Sequence, residues 1–395
     1  MTTYDFIIIG AGLMGSAAGK YLAQSGAKVL IIGQDEPANY QTHDAVFASH
    51  YDEGRLTNIL SRDVTWARLS AESIAQYPII EAQSGITFHG PVGGLVVAHH
   101  METYKFGLHA EEIIQEYHLP MTRYASSEAI NKAHPMFVFP AGFTGLLEGA
   151  PAGWINPRKL VAAQLKIAQQ AGATLVRDVV VAAQKTGDVV KVTTKRGDIY
   201  QGAKVIVATG SFTNTYDVLT KKLPVTVKTE TVILAEISEA EAAKLGGMPI
   251  LSYEIQSDKI AGIYMTPPMR YPDGKMYIKM GNDTATDEWP KDLPAMQKWM
   301  KYGRDDGMGP VMFDALRGFM PGVAFSGLRT VPCLVTYTPH KKPFIDELDK
   351  GVFILTAGNG TSAKCSDTLG LLGAQLAMGQ GWPAPFNRAE FAVVE

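Results

Sequence analysis

The chain has 395 residues, 46% of them hydrophobic and 19% charged, which is enough to bury a large core and long enough for two or three domains. Its formal net charge of −3 offers no basic field for nucleic acid or an anionic bilayer, so neither is an expected partner. The opening Met1-Thr-Thr-Tyr-Asp5 lacks the basic region of a signal peptide, and no apolar run approaches the roughly 18 residues of a membrane span; the cytoplasm is the expected compartment.

Residues 5–9 form a short β-branched run that stops at Gly10-Ala-Gly12-Leu13-Met14-Gly15, followed by a helical pattern from Ser16 to Gln24 and a second apolar run over 27–32. In that context glycines permit a tight turn and let a pyrophosphate approach the positive end of a helix. The turn alone does not separate NAD from FAD. The acidic residue expected at the end of the second strand, where it would hold a ribose, is replaced by Gly33. Asp35 is the nearest substitute, with Glu36 beside it, and a backbone or water contact is the alternative.

Asn156-Pro157 joins a good N-cap to a good first helical residue and predicts a helix to about Gln170. A strand, turn and strand from Ala173 to Tyr200 precede Lys204–Val207, which ends at Ala208-Thr-Gly210. The run Gly351–Gly358 ends the same way and enters a helical pattern from Ser366 to Met378. Strands that stop at glycine, spread over the whole chain, predict one sheet assembled from distant segments. Between them, 85–150 and 215–325 show strand-like alternation, many turns, and a Pro272-Asp-Gly274 hairpin signal. They predict a second, mostly antiparallel sheet.

Two cysteines, Cys333 and Cys365, are too few for a disulfide framework, and neither has a CxxC neighbour or a nearby His; no metal is expected. Cys333 stands in Arg329-Thr-Val-Pro-Cys-Leu-Val-Thr-Tyr-Thr-Pro339, thirteen residues before Asp346. A sulfur at this place, in a chain that opens on a dinucleotide turn, suggests a covalently held flavin; the bland alternative is a small buried hydrophobe. For Cys365 the bland reading is preferred.

On these residues the chain resembles the monomeric sarcosine oxidase and N-methyltryptophan oxidase family, within the D-amino-acid-oxidase-like flavoproteins. The shared segments are Gly10–Ala18, Glu53-Gly-Arg55, Ala208–Asn214, Cys333 with Phe344-Ile-Asp346, and Ala357–Lys364. The resemblance implies an α/β (α+β) fold: a Rossmann-like FAD-binding domain of glutathione-reductase type from 1–85, 150–215 and 326–390, and a mostly antiparallel substrate domain from 86–149 and 216–325. It implies FAD attached covalently through Cys333, with cofactor contacts at Gly10, Gly12, Leu13, Met14, Gly15, Asp35, Val181, Gly210, Gly358, Gly360, Thr361 and Lys364. Lys279, in Met276-Tyr-Ile-Lys-Met-Gly281, matches a lysine above the flavin ring that stabilises the charge developing as O₂ is reduced, and Lys364 matches one that binds the substrate carboxylate.

The departures concern the substrate. Ala45 and Ala48 stand where relatives have arginines, Asp283 where a histidine is common, and Met265 near a substrate-side tyrosine. These changes suit a more cationic or polar substrate than sarcosine, with His43, His50, Met265 and Asp283 as candidate contacts. The implied reaction is oxidation of the C–N bond of a small secondary or N-substituted amine. A hydride leaves the α-carbon for the flavin, water hydrolyses the imine, and O₂ becomes H₂O₂, in a monomeric enzyme whose partners are the amine and O₂. Two other readings stay open: a flavin dehydrogenase of an amine or hydroxy acid with another electron acceptor, and a non-catalytic flavin-binding protein.

Overall fold

In the computed structural model, which describes residues 3–303 and 307–394, two large sheets meet along one cleft. Residues 1–2 and 304–306, counted above within the expected domains, lie outside the described residues. β1 (Thr3–Ile9), α1 (Leu13–Gln24) and β2 (Val29–Ile32) are the strand, helix and strand expected at the start. Phe6–Ile9 and the whole of β2 are buried, as suits parallel strands covered on both faces. Parallel neighbours run in the order Val352–Thr356, Ile199–Val207, β1, β2, Thr174–Val176. Ile9 is level with Val207, and Val207 with Ile354, so the chain leaves these strands at one carboxyl edge, where Gly10, Ala208 and Ala357 gather. That edge is where open α/β sheets bind ligands.

The second sheet runs Phe325–Tyr337, Thr226–Ile237, Met276–Thr284, Ile260–Arg270, Ile250–Tyr253, Gly94–Ala98, Thr144–Glu148, Met121–Tyr124. Its pairs are antiparallel except where Ile250–Tyr253 lies parallel to Gly94–Ala98. One face buries Ile233, Met265, Ile278 and Met280 against Met312 and Leu316 of the helix Met308–Phe319. The other face looks into the cleft. The hairpin signal is met: Gly274 has φ +83° and its N–H reaches Tyr271 O at 2.9 Å, between Ile260–Arg270 and Met276–Thr284.

Two features differ from expectation. Phe325–Tyr337, expected within the first domain, pairs along its length with Thr226–Ile237 and belongs to the second sheet; first-sheet pairing resumes only at Phe344. Cys333 therefore reaches the cleft from the opposite wall to the glycine turn. Helices Val64–Ser84, Leu293–Tyr302 and Met308–Phe319 also go beyond the sequence reading. The first is capped by Asp63, which accepts from Trp66 N–H at 3.0 Å, and ends at left-handed Gly85, but Pro78 interrupts its pattern. Among the described residues no helix is long and apolar enough to cross a membrane.

α1 is bound to the C-terminal helix Ser366–Met378 by a buried ionic group. Lys20 Nζ donates to Asp367 Oδ1 at 2.5 Å, Tyr21 OH to Oδ2 at 2.6 Å, and Gln164 Nε2 approaches Oδ1 at 3.4 Å. Removing one member of such a group strands the other charge, which costs about 3–5 kcal/mol. Asp367→Ala is expected to lower the unfolding free energy by that amount, measured by urea denaturation; a loss below about 1 kcal/mol would refute it.

Candidate active site

The three glycines of the turn do different work. A Cβ on Gly10 would stand 2.4 Å from Ala208 O, and Gly10 has φ +108°, so both packing and backbone require glycine there. A Cβ on Gly15 would stand 1.9 Å from Gly10 O, so α1 can sit this close to the turn only without one. Gly12 meets nothing within 4 Å; it is the N-cap of α1, has no side-chain cap, and borders the cleft, leaving the positive helix end bare. Gly33 is explained by crowding too, since a Cβ there would lie 2.4 Å from Ala11 N.

The cleft has a volume of about 930 Å³ and runs from this turn to the second sheet. Gly10, Gly12, Leu13, Met14, Gly210, Cys333, Gly358, Gly360, Thr361 and Lys364 all line it. Ala357 and Asn359 hold left-handed backbone at φ +69° and +51°, steadied by Asn359 Nδ2 donating to Ala357 O at 2.9 Å. Cys365 is fully buried with Sγ 3.3 Å from Ser70 Oγ, a structural position.

Several expected contacts lie elsewhere. Asp35 is outside the cleft, two thirds exposed, and paired with Arg177 at 3.0 Å; the carboxylate in the wall is Glu36, held by Arg158 at 2.6 and 2.7 Å. Val181 is not in the wall: its carbonyl accepts from Asp217 N–H at 3.1 Å, and Val179 and Val180 line the cleft. His43 folds back onto its own loop, Nε2 lying 2.7 Å from Val46 O, whereas His50 does line the cleft. Burial pushes the His50 pKa down to about 4, so the ring is neutral near pH 7. Met265 is fully buried on the core face of the second sheet, because alternation turns its neighbour Tyr264 to the cleft.

That cleft-facing surface carries chemistry the sequence reading misses. Glu230 is level with Cys333 across the antiparallel pair, so both side chains share one face. Tyr264 OH donates to Glu230 Oε1 at 2.5 Å; its ring lies across Gly281, where a Cβ would come within 2.2 Å of the ring. This is why Lys279-Met-Gly281 ends in glycine. Burial raises the Glu230 pKa, while the Tyr264 hydrogen bond and Lys228 act against it. Asp283, in the wall, is paired with Lys228, which also reaches Asp287 at 2.8 Å. A carboxylate between Thr229 and Thr231 in a β-prone strand, with Lys228 and Val232 on its own face, is the signal for Glu230.

Lys279 lies just behind the wall. Its Nζ donates to Asp52 Oδ2 at 2.5 Å and to Gly54 O at 2.8 Å, and Asp52 also pairs with Arg55. Burial, then the Arg55 guanidinium, lowers the Lys279 pKa well below its ordinary value, with Cys333 and Glu230 acting against the shift. Burial likewise raises the Cys333 thiol, with Arg55 and Lys279 pulling it down. Lys364 Nζ donates to Asn58 O, Asn58 Oδ1 and Ser61 Oγ at 2.8, 2.9 and 2.9 Å. The loop holding those acceptors is pinned by buried Glu148, which accepts from Ile59 and Leu60 N–H at 2.8 Å each.

The chain is similar to known proteins over nearly its whole length. An N-methyl-L-tryptophan oxidase of Yersinia pestis (strain Pestoides F) is 25% identical over 394 residues, covering 99% of this chain and 98% of the relative. Among solved structures, NikD, "an unusual amino acid oxidase essential for nikkomycin biosynthesis", superposes with a TM-score of 0.78 at 20% identity, over 100% of this chain and 98% of that one. Glycine oxidase from Geobacillus kaustophilus gives 0.74 at 17% identity, covering 100% and 99%. L-proline dehydrogenase from P. horikoshii gives 0.73 at 15%, covering 96% and 95%. The FAD dependent oxidoreductase family matches residues 5–376, and with the glycine turn, the shared strand edge and the cleft in place, the chain belongs to that family.

Proposed function

We propose that the protein oxidises the C–N bond of a small N-substituted amino acid, using FAD attached through Cys333. The observation that carries this is the gathering of a bare helix N-terminus, Cys333 and Lys364 around one cleft of about 930 Å³. The residues fit the cofactor: Gly12 leaves room for a pyrophosphate, Glu36 stands in the wall near the end of β2, and the Ala357–Lys364 segment borders the cleft between the sheets. Bound FAD supplies the two-electron acceptor for hydride removal from the carbon α to nitrogen. The relatives support the class, since their names describe oxidation of an N-methyl amino acid and of amino acids.

The chain's own groups bind, orient and shield. Lys364, protonated and buried, takes the substrate carboxylate in place of one of its Asn58 or Ser61 acceptors and so orients the α-carbon. Glu230, beside Cys333 and fixed by Tyr264, accepts an N–H of the amine. Asp283 contributes negative charge at the same wall. Arg55 keeps the region behind the wall positive, and Lys279, which shares Asp52 with it, adds its N–H donors there. That favours O₂ as acceptor and H₂O₂ as product. The direct Asp52 contact is the observation for the second reading, a dehydrogenase, since it dampens the lysine's pull on developing negative charge.

Acid precipitation of the purified protein is expected to leave yellow colour on the polypeptide, and Cys333→Ser to release it; release from the wild type would end the covalent reading. Lys279→Met is expected to slow oxygen uptake by about 10²-fold while substrate still bleaches the flavin at a similar rate. Unchanged oxygen uptake would select the dehydrogenase. Burial, more than any other cause, lowers the Lys364 pKa to about 8, with Arg62 acting the same way and Cys365 and Glu148 opposing. The ammonium is present below that pH and lost above it, so kcat/KM for carboxylate substrates should fall as pH rises through about 8. Lys364→Met should lower kcat/KM by about 10²-fold and remove that limb of the profile.

A further inference from the structure

One end of the cleft holds cations without carboxylates. Arg62 comes from the turn before the helix Val64–Ser84, and Lys105 from the loop between Gly94–Ala98 and Ala110–Tyr117; both line the cleft. Arg62 Nε is closed off from solvent and has no hydrogen-bond partner among the described residues. The carboxylate next to it in sequence, Asp63, is committed to Lys342 at 2.9 Å and to the cap of its own helix. Lys105 Nζ lies 5.4 Å from the Phe106 ring centroid and 3.3 Å from where a Cβ on Gly262 would stand, so glycine at 262 leaves the ammonium its place. Beside it the hydroxyl of Tyr104, a residue only 7% exposed, is likewise without a partner.

The anions nearby do not answer these donors. Glu230 is engaged by Tyr264, and Asp283 and Asp287 by Lys228. Burial lowers the Lys105 pKa first and Arg62 lowers it further, with Asp283 and Glu230 acting only at a distance. Both side chains are half-buried, and a cation held so without a partner is costly unless an anion arrives to meet it.

We infer that Arg62 and Lys105 form a second anion clamp, so that the substrate is an N-substituted amino acid bearing a further anionic group, a carboxylate or a phosphate, besides its α-carboxylate. The substrate class so named presupposes the amine oxidation proposed above, with Lys364 taking the α-carboxylate.

Titration of the flavin-loaded protein with acetate, glutarate and 3-phosphonopropionate, followed by the visible flavin absorption, tests the clamp. Glutarate or 3-phosphonopropionate should bind at least about tenfold more tightly than acetate, and the tighter of the two identifies the second group. Arg62→Gln and Lys105→Gln should each reduce that preference about tenfold with acetate affinity unchanged, and Arg62→Lys should restore part of it. Equal binding of acetate and the dianions, or a preference that survives both Gln variants, would overturn the clamp. Turnover of neutral N-methyl amino acids with no gain from an acidic side chain would also remove the clamp while leaving the reaction. A dianion preference lost in the Gln variants, with no amine turned over, would support the clamp and remove the reaction.

Discussion

Glu230 and Cys333 stand level across two antiparallel strands, and a slip of one residue in either strand would turn its side chain from the cleft into the core. The same alternation sorts the whole wall. Lys279, Gly281 and Tyr264 share a face with Glu230, whereas Ile278, Met280 and Met265 go to the apolar side against the helix Met308–Phe319. The apolar side is what secures the register. Ile233, Ile278 and Met280 are fully buried, each burial stabilising by about 1.5–3 kcal/mol, and a slip would expose them all together. The polar groups of the cleft are therefore positioned by residues that never touch it.

The charged groups are tied by contacts between segments distant in sequence. Lys20 with Asp367 fastens α1 to the last helix, Lys279 with Asp52 ties the second sheet to the loop after β2, and Glu148 holds the backbone that presents acceptors to Lys364. Each has at least one fully buried charged member, so its geometry must be good for the desolvation to be offset. The result is a cleft whose opposite walls come from different sheets yet are fixed to one another.

What the sequence discloses follows from the kind of interaction. The glycine turn, β1, α1, β2 and the helix from Asn156-Pro157 depend on local backbone geometry, and Asn156 caps that helix by accepting from Lys159 N–H at 3.0 Å. Gly10, Gly12, Cys333 and Lys364 stand in short segments with fixed spacing, and all four line the cleft. Strand partnership was not legible: Cys333 lies in the second sheet because of 226–237, about a hundred residues earlier. Met265 and Val181 were misplaced by a small offset, which on a strand changes the face or the hydrogen-bond partner. His43, read as a contact, satisfies its own loop at Val46. Arg62 and Lys105 carry no motif, since only the folded chain brings their separate turns to one cleft.

The resemblance to sarcosine-oxidase-type proteins implies arginines where this chain has Ala45 and Ala48, which in sequence looks like the loss of an anion site. In the fold, Arg55, Arg62 and Lys105 all border the cleft, so cationic side chains enter it from other segments. The potential in a low-dielectric cleft depends on the sum of nearby charges and on their burial, not on the strand or loop that supplies them. Position does matter for which part of a ligand feels that potential. Arg55 is drawn toward Asp52, Ser49 O and Gly54 O, behind the Cys333 wall, whereas Arg62 keeps a donor unmatched. The first therefore acts on the electrostatics of Cys333 and Lys279, whose pKa values it lowers, and the second remains available to a ligand. On the function proposed above, Arg55 would then bear on the cofactor side of the cleft and Arg62 on the substrate side, so the two could change independently.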